Sequence, residues 1–195
     1  MPLHITVFAG SSQRSAEVHR AAARALGAEI ARRSHVLVYG GGRTGLMGDL
    51  ADAALAEGGV VRGVILREFI DQDVHHRGLA EMETVDDMRS RKAGLDARAD
   101  AFVALPGGFG TLKELAEILS FRKLGHHHRP IVLLDVDGFW EPLLAFVERA
   151  IADGFERPER RAYLSVTTDP ARAVLLCEQA IRTEPADPRG DPPRL

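Results

Sequence analysis

The sequence has 195 residues, 45% of them hydrophobic and 27% charged, with a formal net charge of −3. That balance fits one water-soluble globular domain with room for a sizeable core, and it offers no field that would favour nucleic acid or an anionic membrane. A single cysteine, Cys177, excludes an internal disulfide and suits a reducing, cytoplasmic setting, and no stretch approaches the roughly 20 apolar residues of a membrane span.

Strand and helix signals alternate along the chain. The opening MPLHITVFAGSS has no basic leader, so it reads as a core strand over residues 3–8 and not as a signal peptide. An alanine-rich helix is expected over residues 15–33, with Val18, Ala22, Leu26 and Ile30 along one face. A buried strand over 35–40 runs into GGRTGLMG and a helix over 46–57. Residues 60–66 form a third strand, 67–79 an irregular polar segment, 81–85 a short strand and 86–98 a helix. A strand over 101–105 ends in PGGFGT, before a helix over 111–124. The strand 131–135, a helix over 139–153 and a last helix after Asp169 complete the set. The strands lack polar alternation, which implies burial on both faces. The expected fold class is therefore α/β, a doubly wound parallel sheet with helices on both faces. Residues 1–182 read as one domain. Residues 183–195 hold four of the ten prolines without apolar periodicity and read as a disordered tail.

Three strand–glycine–helix turns stand out, at Gly10-Ser11-Ser12, at residues 40–48 and at 107–111. In an open parallel sheet such turns line the carboxyl edge of the strands, where ligands bind. A helix N-terminus there offers free N–H groups to an anion, so a phosphorylated ligand is expected. Gly40, Gly42 and Gly45 satisfy G-x-G-x-x-G, a weak signal that fits either a nucleotide site or close helix–strand packing. In PGGFGTLKE, Gly107, Gly108 and Gly110 allow close backbone approach and Thr111 adds a hydroxyl. Glu114 has two readings. Thr111-x-x-Glu114 matches a capping box, while a carboxylate beside a phosphate pocket suits a base or a cation stabiliser. Arg91 falls three residues after Met88 and four before Leu95, in an apolar seam. An arginine there must snorkel, pair with an acid or meet a ligand. His75-His76 and the run 126–128 lack a metal-ligand spacing and read as polar loops, and Cys177 reads as core. No metal site is expected.

Taken together, these motifs resemble the LONELY GUY (LOG) family, the cytokinin riboside 5′-monophosphate phosphoribohydrolases, long mislabelled as lysine decarboxylases. The hallmark P-G-G-x-G-T-x-x-E is met by Pro106, Gly107, Gly108, Gly110, Thr111 and Glu114, and the upstream Arg-Lys pair after a Met by Met88, Arg91 and Lys92. The turn over 40–48 and the opening VFAGSS also match. The resemblance implies a Rossmann-like fold, a homodimer, a nucleotide substrate and no cofactor, with hydrolysis to free base and ribose 5-phosphate. It maps the catalytic pair onto Arg91 and Glu114. Substrate contacts map onto Gly10, Ser11, Gly41, Gly42, Gly45, Asp73, Met88, Lys92, the turn 107–111 and Ser120. Arg89-Ser90 replaces the family's His-Glu, Lys113-Glu114 its Glu-Glu, and Ser120-Phe121 its Thr-Trp. These departures bear on the base pocket. Alternatives are a non-catalytic nucleotide-binding module and a nicotinamide-dependent oxidoreductase. A pyridoxal-phosphate decarboxylase would need a suitably placed lysine, and none of Lys92, Lys113 and Lys123 has such a setting.

Overall fold

The computed structural model describes residues 1–79 and 81–183. Seven strands form one sheet: β1 (His4–Phe8), β2 (Val36–Tyr39), β3 (Val60–Leu66), β4 (Glu81–Val85), β5 (Ala101–Ala104), β6 (Ile131–Leu134) and β7 (Leu164–Thr167). Their order is β4-β3-β2-β1-β5-β6-β7, and every neighbouring pair is parallel. The strands of the sheet's centre are almost wholly buried, as their unbroken apolar runs require. The helices are α1 (Glu17–Arg32), α2 (Gly45–Ala56), α3 (Arg67–Asp71), α4 (Met88–Ala97), α5 (Phe109–Lys123), α6 (Glu141–Ala152) and α7 (Pro170–Thr183).

Two layers of helix cover the sheet. Leu26 and Ile30 of α1, Leu46 and Leu50 of α2, and Val174 and Cys177 of α7 pack on one face. Leu115 and Ile118 of α5 meet Phe8, Phe102 and Leu133 on the other, and Leu95 of α4 meets Val38 and Val64. The fold is the Rossmann-like α/β class that the alternation of elements implies.

Several details differ from the sequence reading. Val18 lies outside the buried stripe of α1 and is exposed, because that stripe starts only at Ala23. The segment 67–79 is not wholly irregular, since residues Arg67–Asp71 make one short helix. The strand β7 and a 3₁₀ turn before it, Pro158–Tyr163, carry no strong pattern: only Leu164 of LSVT is fully buried, as befits an edge strand. His127 does lie in a loop, between α5 and β6, but it is buried there, with Nε2 donating to the Ile118 carbonyl at 2.9 Å. Thr183 closes α7 instead of opening a tail, and the rest of the expected tail lies outside the described residues. No helix among the described residues is long and apolar enough to cross a membrane.

Candidate active site

The chain leaves β1 for α1 and β5 for α5 in opposite directions, so a crevice opens above the carboxyl ends of these two central strands. The two turns are pinned together at its base. The Gly10 N–H donates to the Pro106 carbonyl at 3.1 Å, and a Cβ on Gly10 would stand 3.2 Å from the Gly107 Cα. The third turn joins them, since the Leu46 N–H donates to the Gly10 carbonyl at 2.9 Å. Gly45 has φ +61°, and a Cβ there would lie 2.5 Å from the Ser11 carbonyl carbon, so only glycine fits. All three turns thus meet at one edge.

A cavity of about 620 Å³ occupies the crevice. One wall is the start of α5. This helix begins three residues earlier than its Thr-x-x-Glu signal suggests, with Gly108 and not Thr111 as N-cap and no side chain satisfying the first turn. Its leading N–H groups are therefore available to an anion, and the helix dipole favours one. Thr111 is buried beneath the turn; a Cβ on Gly107 would lie 2.1 Å from its Oγ1.

The deeper wall carries Arg91 and Glu114. Arg91 Nη1 donates to Glu114 Oε1 at 3.1 Å and Nε to the Val64 carbonyl at 3.2 Å. Their side chains are only 10% and 18% exposed. Burial pushes the Glu114 carboxyl above its ordinary range, and the Arg91 cation pulls it back in part. Desolvation offsets most of the attraction within a buried ion pair, so stability alone does not account for one in a cavity wall. Beside this pair, the next residue of α4, Lys92, meets the carboxylate about one turn further along α5, Glu117, with Nζ 2.6 Å from Oε1.

Of the expected contacts, Gly10, Ser11, Met88, Arg91, Lys92, Gly107, Gly108, Gly110, Thr111 and Glu114 all line this cavity. Gly41, Gly42 and Gly45 do not. Gly41 packs against Met82 and Ile65, Gly42 against Met47, and Gly45 against the Ser11–Ser12 backbone. Asp73 sits on the surface, where it pairs with Arg43 and Arg77. Ser120 faces a separate groove between α5 and α6. The cavity also draws in residues that spacing did not suggest, among them Ser15, His19, Phe69 and Phe139. His19 comes from the first turn of α1, and Phe139, its ring partner at 6.0 Å, from the β6–α6 loop. Both loops end at the ligand edge, the one signal that could have found them.

The lysines do not suit a Schiff base. Lys92 and Lys123 are engaged by Glu117 and Glu156, and Lys113 lies exposed at the rim. Among the described residues, no three histidine, cysteine or acidic side chains cluster to hold a metal.

A family model described as "Possible lysine decarboxylase" matches residues 47–177. The cytokinin riboside 5′-monophosphate phosphoribohydrolase of Rhodococcoides fascians is 43% identical over 175 residues, covering 89% of this chain and 88% of that protein. The Arabidopsis thaliana enzyme of that name, LOG5, is also 43% identical, over 80% of this chain and 69% of its own. The solved molybdenum cofactor carrier protein of Chlamydomonas reinhardtii superposes with a TM-score of 0.73 at 22% identity, covering 94% of this chain and all of its own, a likeness of fold alone. With its hallmark residues gathered at one cavity and relatives this similar along most of its length, the chain belongs to the LOG family of cytokinin riboside 5′-monophosphate phosphoribohydrolases.

Proposed function

We propose that this chain hydrolyses the N-glycosidic bond of a purine nucleoside 5′-monophosphate, adenine or an N6-modified, cytokinin-type adenine, releasing the free base and ribose 5-phosphate. The observation that carries the reading is the buried Arg91–Glu114 pair set beside the uncapped N-terminus of α5 in one cavity. The 5′-phosphate accepts hydrogen bonds from the first N–H groups of α5 and from the Thr111 hydroxyl. That anchor orients the ribose and directs its binding energy to the reacting centre.

Departure of the base leaves positive charge at C1′, as in other glycoside cleavage. The Glu114 carboxylate stabilises that charge and takes a proton from the water whose oxygen bonds to C1′. The base, which leaves with the electron pair of the C1′–N bond, gains one proton in exchange, so the elements of water divide between the sugar phosphate and the free base. A guanidinium is a permanent cation, so Arg91 holds the substrate and Glu114 in place and does not carry the proton. Met88, Lys92, Ser11 and Gly10 complete the walls around the nucleotide.

The working unit in this reading is a cytoplasmic homodimer. Supporting the dimer, the groove between α5 and α6 leaves Leu112 and Phe146 exposed, Phe146 at 68%. Incubation with AMP and with an N6-prenylated AMP, followed by separation of bases and sugar phosphate, tests the reaction. Free base and ribose 5-phosphate in equal amounts are expected, and their absence with both nucleotides would overturn it.

A further inference from the structure

The glycines of the turn after β2 do not line the cavity, yet one of them touches the wall that carries Arg91. Gly40 follows Tyr39 directly at the end of β2. Unlike Gly41 and Gly45, it has no left-handed φ that would demand glycine. What a side chain there would meet is Arg91. A Cβ on Gly40 would stand 2.3 Å from Arg91 Nη2 and 3.5 Å from Cζ, with the Met47 sulfur the next neighbour at 3.5 Å. The guanidinium is thus confined on three sides, by the Val64 carbonyl on Nε, by Glu114 on Nη1 and by the bare Cα of Gly40 beside Nη2.

We propose that Gly40 is a positioning residue of the active site: the missing side chain forms the berth that holds the Arg91 guanidinium against Glu114. The glycine-rich turn then serves the catalytic arginine and not a phosphate. The inference rests on the reading above only in giving Arg91 and Glu114 the chemistry. An added methyl meets the end of a long side chain, so the side chain gives way and the backbone stays. The guanidinium then leaves its place beside Glu114 while the fold survives.

Gly40→Ala, Arg91→Ala and the double variant test this through two readouts. Misplacing a group by about an ångström costs on the order of 10²-fold, so Gly40→Ala is expected to lower kcat by about that factor with Tm near that of the unaltered chain. In the Arg91→Ala background the same change should cost nothing more, because the two act through one group. The second readout needs no turnover: NMR titration of the Glu114 carboxyl carbon. Withdrawing the cation should move its midpoint upward in both single variants, and the double variant should match Arg91→Ala. If Gly40→Ala fails to fold, the double variant, which lacks the clashing side chain, should fold. Normal kcat with an unmoved Glu114 midpoint in Gly40→Ala would overturn the proposal, as would losses that multiply in the double variant or failure of both variants to fold. Inactivity of the unaltered chain would instead overturn the hydrolase reading, and the titration would still decide the berth.

Discussion

In the proposed mechanism Glu114 is the residue on which the chemistry turns. Its burial favours the neutral acid and Arg91 opposes that. If the ionised form works, kcat should fall on the acid side with a midpoint above the ordinary glutamate value of 4.5. Above that midpoint the carboxylate is present and activity is full; below it the group is protonated and activity is lost. The sign for stability is the reverse. A carboxyl raised in the folded chain lends its stability at pH below its unfolded value and loses it as pH rises through the folded one. Glu114→Gln keeps an oxygen to accept from Arg91, so the fold should hold, while kcat should drop by roughly 10²-fold or more. A pH–rate profile and a melting curve of the two proteins check both halves. Near-normal kcat in the variant would return Glu114 to a structural part.

At the scale of elements, the start of α5 decides between two readings of one motif. Thr111-x-x-Glu114 has the spacing of a capping box, but a box needs Thr at the N-cap. Gly108 takes that place, so Thr111 is the third helical residue and Glu114 the sixth, a full turn too late to cap. The first turn stays open to a phosphate. A nucleoside without its 5′-phosphate should therefore be a poor substrate, with kcat/KM lower by about 10²-fold or more; equal turnover of nucleoside and nucleotide would refute the anchor. The strands of the sheet's centre were legible because apolar runs buried on both faces have no other home. The edge strand β7 was not, because it buries a single residue. That Arg91, Glu114 and the turn 107–111 share one cavity was legible from motifs in a recognisable order. The partnership of Arg91 with Val64 and Gly40 was not, because it depends on which strands lie beneath α4. His19 and Phe139 likewise meet through the order of strands and not through any spacing along the chain.

For the whole molecule, the exposed aromatic Phe146 beside the α5–α6 groove argues for a covered face. Light scattering at micromolar concentration should give the mass of two chains, and Phe146→Glu should shift it toward one. A monomer in the unaltered protein would count against the dimer. The position of β1 has a different kind of consequence. It lies between β2 and β5, and its Ile5 pairs with Ala101. The cleft is shared between a turn made early in synthesis and one made only after β2, β3 and β4 have emerged. Chains grow from the N-terminus at about 5–20 residues per second, so several seconds separate the first turn, and the turn after β2 that bonds to it, from the turn after β5. During that time the chain has neither Glu114 nor the first turn of α5, so under the proposed mechanism it cannot act on a nucleotide. The proposed site is whole only once β5 lies beside β1 and α5, which follows β5, has brought Glu114 to the cleft.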